Sequence, residues 1–585
     1  MKRILSLVLT FVMILGMVSV LSACGAPEDA GAEVRVYLGG GVFDFDPSDY
    51  YVSTDAENIL SLLYEPLFTL GTNGKIQYAA ADDYDVDEDE RKITIELRET
   101  YWSDGIPVKA SDFVYAWCER IINSSNPNPA AALFYEIEGV KEVAMGQGTS
   151  ADIAIKATEM KQLVITYCEG ADYERILKNL ASIATAPVRQ DVVETAQAYW
   201  SKSASTIVTN GPFQMKRFVV DDGEFELSRN LGYHQEPTVE DYDNEVNPAL
   251  LYTVFGDTTV SYADIDNKVF VMTEASLADR AANVKKATKA DHTSTYTYVF
   301  NTNHPLLADA NVRLALSAVI DREKIVNAVT YGKAADGFIP DVSGGSSKAL
   351  ISSTANKALA DQYMAKVDPA LLSANNKITL TVNDDPVSLE IANIVKEAWT
   401  TLGIEVTVKA VGKVENVVKV SAKAEDDITV VDSGIQTLIK NASYGKVEYD
   451  VIAVDWQMYC RDAAVGLSSL TSQLNGMGVR FDTDETTGAD KLVSRANVTG
   501  WADSKYDQLV SAIYATTNGK ARAEAVTAAE EYLISQMPVC PIVFNQNFVF
   551  KSSKVSKLSF DGLGNYVFTD LKLSDYENYF KPEEE

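Results

Sequence analysis

The sequence predicts a mixed α/β protein with more than one domain. Three observations carry that prediction. Short period-two runs alternate with longer helical patterns along the whole chain. Apolar residues make up 46%, enough for sizeable cores. Setting aside residues 1–23 leaves about 560 of the 585, room for two to four domains at ~100–200 residues each. No internal repeat and no long low-complexity linker divides the chain.

Lys2 and Arg3 open the chain, and an apolar run over residues 4–20 ends at Leu21-Ser22-Ala23-Cys24. A basic start, an apolar core and small residues before a cleavage point describe a secretory signal over residues 1–23. A membrane anchor is the other reading, since a span needs roughly 17 to 25 apolar residues. Leu-Ser-Ala-Cys resembles a bacterial lipobox, which implies that the Cys24 sulfur takes a diacylglyceryl group and becomes the mature N-terminus. Residues 24–32 would then be a flexible leash. Two acyl chains, at ~0.8 kcal/mol per buried CH₂, would hold the protein on the outer face of the cell membrane.

Further elements follow in order. Residues 34–38 alternate as a strand, and Ile59, Leu62, Leu63 and Leu67 lie at helical spacing within 55–70. Residues 92–98 alternate as a half-buried strand. Ser111 or Asp112 can cap a helix through Phe113, Val114, Trp117 and Ile121, stopped at Asn126-Pro127-Asn128-Pro129. Asp309 precedes a largely buried helix through Ile320, and Asp321 starts a second one that ends near Tyr331-Gly332. Residues 377–382 (strand), 389–402 (helix) and 404–408 (strand) make a βαβ unit.

The charge balance, 51 lysines and arginines against 83 aspartates and glutamates, argues against a nucleic-acid partner. Cys118, Cys168, Cys460 and Cys540 are widely scattered without metal-ligand spacing and read as free thiols. His234, His292 and His304 are the only histidines and form no metal or triad spacing. There is no phosphate loop and no nucleophile elbow. The acidic run Asp85-Val86-Asp87-Glu88-Asp89-Glu90 lacks the glycine a calcium loop needs at its sixth position and reads as an exposed turn. These absences favour a binding protein over an enzyme, with no metal and no cofactor expected.

Residues 97–114 carry Tyr101-Trp102-Ser103-Asp104-Gly105-Ile106-Pro107, a strand, a tight turn, a proline and a helix start. Gly105 suits a positive φ, Trp102 would fill the core beneath the turn, and Pro107 stiffens the return. This segment resembles a signature of the oligopeptide-, dipeptide- and nickel-binding proteins of bacterial ABC importers. Further matches follow in the family's order: Phe45-Asp46-Pro47 with Tyr64-Glu65-Pro66-Leu67, Thr209-Asn210-Gly211-Pro212-Phe213, Phe300-Asn301-Thr302-Asn303 with residues 312–322, Trp501-Ala502-Asp503 with Tyr506-Asp507, and Met537-Pro538-Val539-Cys540-Pro541.

The resemblance implies a two-lobed periplasmic-binding-protein-like fold (class II) with an extra subdomain: lobe I over 33–80, 205–292 and 549–585, the subdomain over 81–204, and lobe II over 293–548. It implies a monomer that closes its lobes on an oligopeptide and presents it to ABC permease subunits. In family members that bind peptides, the ligand pairs its main chain with both lobes, which here points to Tyr51-Val52-Ser53-Thr54 and to Val454-Asp455-Trp456-Gln457. Tyr296 and Tyr298 are candidate cleft aromatics, or strand residues with one buried face. Members that grip the peptide's amino group place a carboxylate three residues after a tryptophan. Here Tyr459 stands three after Trp456, which leaves Asp462 and Asp455 as candidates. Asp462 is favoured unless Arg461 pairs with it. A nickel chelate, a glycan, a small cationic metabolite, peptide sensing without transport and an extracellular hydrolase remain the alternatives.

Overall fold

The computed structural model describes residues 33–38, 44–49 and 54–574, apart from 124, 126–127, 220–223, 235–244, 247–249, 255–259, 419–427, 444, 446–447, 484–486, 489 and 518. Its frame is an eleven-stranded mixed sheet. The strand order is Glu405–Val411, Lys377–Asn383, Val451–Gln457, Thr288–Phe300, Val539–Lys551, Val271–Met272, Glu33–Tyr37, Leu250–Val254, Glu224–Arg229 and Phe213–Val219, with Lys333–Ala334 paired onto Val539–Lys551. The two central strands, each of thirteen residues, run antiparallel to one another through the middle of the molecule.

Two large apolar clusters flank these crossing strands. The first is built from residues on either side of Phe68 and from the 93–200 region, and includes Trp102, Trp117 and Phe134. The second is built mainly from residues between Tyr296 and Val543 and includes Trp399, Phe300 and Tyr506. A separate four-stranded antiparallel sheet, Ala81–Asp87, Lys92–Leu97, Gln162–Thr166 and Ile155–Ala157, sends Ile93, Ile95, Leu163 and Ile165 into the first cluster and has no core of its own.

The predicted βαβ unit is present. Lys377–Asn383 and Glu405–Val411 pair in parallel, joined by the helix Pro386–Thr400. The helix starts three residues before the predicted point, because Asp385 accepts from the Val387 and Ser388 amides at 2.9 and 2.8 Å while Pro386 takes the first helical position. Ile391, Ala392, Val395 and Trp399 form its buried stripe. Asp309 and Asp321 cap their helices as predicted, accepting from Asn311 N and Lys324 N at 2.8 Å each. Asp112 differs from expectation: it sits at the third helical position, where it accepts from Lys109 N and from the Trp102 indole at 3.0 Å each. It thereby ties the signature tryptophan to the helix start. Gly105 takes φ 84, and its amide closes the turn on Trp102 O at 2.8 Å. The helix predicted over 55–70 ends at Leu63, and Phe68–Leu70 is a strand instead. Pro66 removes an amide donor and disfavours helix for Glu65 before it. The acidic run at 85–90 is the end of a strand and its exposed turn. All four described cysteines are free, three buried and Cys168 half-buried.

Candidate functional site

The crossing strands lose register between Asp291/Thr295 and again between Tyr296/Thr297. A bulge of this kind leaves residues outside the ladder and re-aims their side chains, and here those side chains are polar. His292 is fully buried; its Nδ1 lies 2.9 Å from Ser294 Oγ, its Nε2 3.3 Å from Asn565 Oδ1 and 3.5 Å from Glu57 Oε2. Asn545 donates to Ser294 Oγ at 2.8 Å and to Asp455 Oδ1 at 2.7 Å. Asn58 and Asn547 exchange amide hydrogen bonds at 3.2 and 3.0 Å. A continuous polar chain thus runs from the helix Thr54–Leu63 beside the first core, through both crossing strands, to Asp455 on Val451–Gln457. Burial pushes the Glu57 carboxyl up to about 8, with the Asp561 charge adding to it, and burial pushes the His292 imidazole down to about 4. Near neutral pH the two face each other chiefly as uncharged groups.

Charged contacts also join the two halves. Lys202 lies 3.4 Å from Asp44 and pairs with Asp432 on the strand Ile428–Ser433. Lys440, on the helix Gly434–Ser443, reaches Asp49 at 2.7 Å. Burial lifts Asp49 to about 6, with Lys440 opposing the shift. Around the second contact zone Arg175 donates to Glu136 at 2.6 Å and stands 3.7 Å from Asp462. Nearby the Tyr135 hydroxyl donates to Leu474 O at 3.2 Å, and Lys141 sits over the Tyr514 ring at 4.4 Å.

The residues singled out from sequence fall into several groups. Asp462 is not a free carboxylate. Both its oxygens accept from Arg522 Nη2 at 2.7 Å, and Oδ1 also caps the helix Ala463–Ser468 through Ala464 N at 3.1 Å. Arg461, the partner weighed from sequence, instead donates to Val342 O at 3.2 Å. Trp456 points away from the crossing: its indole donates to Ser469 Oγ at 3.2 Å and its ring meets Phe338 edge-on in the second core. Tyr298 is likewise a core residue, fully buried edge-to-face on Trp399. Gln457 is buried opposite Ser294. Tyr459 is buried in the first core with φ 61, so the segment just past Val451–Gln457 reaches across to the other half. A non-glycine residue in that conformation is strained, and surrounding contacts must hold it there.

Asp455 and Tyr296 stay together. They are direct cross-strand partners, so their side chains share a face, and burial lifts Asp455 to about 6 with Asn545 opposing. Thr54 opens the helix Thr54–Leu63, whereas Ser53 and Cys24 lie outside the described residues. Sequence reasoning missed Arg522, Arg175, Asn545 and Asp385. Only the last had a local signal, the Asp-Pro pair at a helix start. Among the described residues no group of three or more histidines, cysteines or carboxylates could hold a metal ion, and no helix is long and apolar enough to cross a membrane.

Comparison with known proteins fits this architecture. The chain is 25% identical over 597 residues to the dipeptide-binding protein DppE of Bacillus subtilis, covering 96% of this chain and 97% of that protein. Its fold matches the pheromone receptor PrgZ, solved for its mode of peptide binding, with a TM-score of 0.74 at 21% identity over 93% of this chain and 100% of that one. It matches the murein tripeptide binding protein MppA of Escherichia coli with a TM-score of 0.71 at 22% identity, over 93% and 98% of the two chains. Against the unliganded open form of MppA the TM-score is 0.54 at 21% identity, over 94% and 98%. The fold is therefore that of the two-lobed class II binding proteins. With the model of the middle region of that family matching residues 75–477, the chain belongs to the bacterial extracellular solute-binding proteins, family 5.

Proposed function

We propose that this chain is the extracytoplasmic solute-binding subunit of an ABC importer, anchored through a lipid on Cys24, and that it captures oligopeptides between its lobes for delivery to the permease. It acts by binding alone and carries out no catalysis. The observation that carries the peptide reading is a half-open strand edge. The ladder from Lys377–Asn383 to Val451–Gln457 includes Leu380↔Val451 and Thr381↔Ile452 and goes no further, while the ladder to Thr288–Phe300 continues to Gln457. Beyond Ile452 that ladder stops, and among the described residues no other strand pairs with residues 453–456 on that side, at the carboxyl ends of parallel strands where α/β sheets bind ligands. A peptide laid along that side would gain main-chain hydrogen bonds whatever its side chains, and hydrated pockets would tolerate varied ones. The relatives described as peptide- or dipeptide-binding support this reading.

Lobe closure is the second half of the proposal. The pairs Lys202–Asp432, Lys440–Asp49 and Arg175–Asp462 each join residues about the first core to residues about the second. They would break on opening. Native mass spectrometry of freshly purified protein tests ligand class: co-purifying peptides of varied mass are expected, and a single non-peptide mass would refute the proposal. X-ray scattering of refolded, ligand-free protein should show a larger radius that shrinks on adding peptide. Cys24→Ser should release the protein from the membrane fraction, and normal processing with retained attachment would rule out the lipid anchor.

A further inference from the structure

The carboxyl ends of the strands in the second half bring a group of polar residues together. Asp455 and Tyr296 are cross-strand partners on one face of the sheet. The same face is covered by the helix Pro386–Thr400, whose Trp399 packs on Tyr298, two residues along from Tyr296. Asp385 caps the start of that helix, and its field acts on the Tyr296 hydroxyl together with that of Asp455. Tyr296 is 7% exposed, and among the described residues its hydroxyl has no partner within hydrogen-bond geometry. A buried hydroxyl left without a partner is costly, and a bound group could satisfy it.

The residues Asp455 and Asp385 are half-buried. Burial lifts both, and among the described residues neither carboxylate forms an ion pair. Glu274 adds to the negative field at Asp385 and is itself paired with Arg280. Two carboxylates and an unpartnered hydroxyl converge where a positive charge is missing.

Resting on the peptide reading above, we propose that Asp455, Asp385 and the Tyr296 hydroxyl form a subsite for a cationic side chain, lysine or arginine, of the bound peptide. The side chain rather than the terminal amine follows from the geometry. A peptide paired along residues 453–456, past the end of the Lys377–Asn383 ladder, holds its main chain in the plane of the sheet. Its successive side chains point to opposite faces, and those on the face of Asp455 and Tyr296 reach the carboxylates.

The test uses full-length protein, freed of ligand by unfolding and refolding, and tetra-alanine peptides with free or acetylated N-termini. Each position in turn carries lysine, norleucine or glutamate. At one position lysine should bind roughly tenfold or more tighter than norleucine, the scale of a charge-assisted contact, with glutamate weakest. The preference should persist after acetylation. Asp455→Asn should reduce it to about twofold or less, with circular dichroism and the melting temperature of the variant reporting an intact fold. Tyr296→Phe should reduce it by a smaller factor. Equal binding of lysine and norleucine at every position overturns the proposal. So does a preference that survives in both Asp455→Asn and Asp385→Asn, or one that disappears on acetylation. If no peptide of any composition binds, the peptide reading falls first and takes the subsite with it.

Discussion

Asp462→Ala should unfold the protein more readily without erasing its ability to recognise a peptide's amino group. The Asp462 and Arg522 side chains are 8% and 9% exposed, and the carboxylate takes two 2.7 Å hydrogen bonds from one guanidinium nitrogen. Removing it strands a buried cation that keeps its hydrogen bond from Nη1 to Ile513 O at 2.7 Å. Breaking one side of such a pair costs about 3–5 kcal/mol. Losing the cap on Ala464 N adds about 1 kcal/mol. The expected loss of about 4–6 kcal/mol corresponds to a fall in Tm of about 8–20 °C for a cooperative unit of this size. Asp462→Asn keeps a capping oxygen and should lose somewhat less. Adding Arg522→Met to Asp462→Ala should recover much of the loss, because no charge is then left unpaired. Calorimetry and denaturant titration give the stabilities, and titration with free and acetylated peptides gives the recognition. A normal Tm combined with lost discrimination between those peptides would refute this assignment and return Asp462 to the ligand.

Other outcomes follow from the same geometry. Glu57, raised to about 8, holds its proton more tightly folded than unfolded, so its stabilisation is complete below pH 4.5 and declines as pH rises toward 8. His292, lowered to about 4, acts in the opposite direction, its contribution present above pH 6.5 and lost as pH falls to about 4. The two slopes oppose one another up to pH 6.5, and Glu57 alone then lowers stability by about 2 kcal/mol up to pH 8, a decline that Glu57→Gln should remove in urea titrations at stepped pH. Gly211→Ala places a Cβ 2.7 Å from Leu63 C and Tyr64 N, backbone that cannot swing aside, so a loss of about 1–3 kcal/mol is expected by denaturant titration. Lys202→Met removes the charge facing Asp44 and Asp432 across the closure, and should weaken peptide affinity a few-fold at low salt with less effect at high salt.

The fold was largely legible because it is written in local patterns. The βαβ unit over 377–411 shows itself as two alternating runs around one helical stripe, and Asp309 and Asp321 announce their helices by side-chain chemistry alone. The errors came where a longer-range demand replaced the local rule. Asp112 is an acceptable cap by sequence, yet the Trp102 indole and the Lys109 amide draw its carboxylate one turn in. The apolar spacing over 55–70 continues past Leu63, but Leu67, Phe68 and Leu70 are apolar because they enter the first core, as a strand rather than a helix.

The site was less legible for a reason that Asp462 and Asp455 make plain. In the sequence both are aspartates within a few residues of one tryptophan, and either could hold a cation. What separates them is a residue 60 positions away: Arg522 reaches Asp462, whereas among the described residues no cation pairs with Asp455. Asp462 therefore already has the charge it needs, and its field is spent inside the fold. Asp455 lies beside Asn545 and Tyr296, which can offer it only hydrogen bonds and a neutral ring. A carboxylate in that setting is raised to about 6 when the site is empty, and a cation brought alongside would favour its ionised form. At or just below pH 6, binding such a ligand would then release a proton, so calorimetric heats measured there in buffers of different ionisation enthalpy should differ for a lysine peptide and agree for its norleucine counterpart. Equal heats across buffers for both peptides would show that Asp455 does not change its proton on binding, and the subsite would have to hold its cation by Asp385 alone.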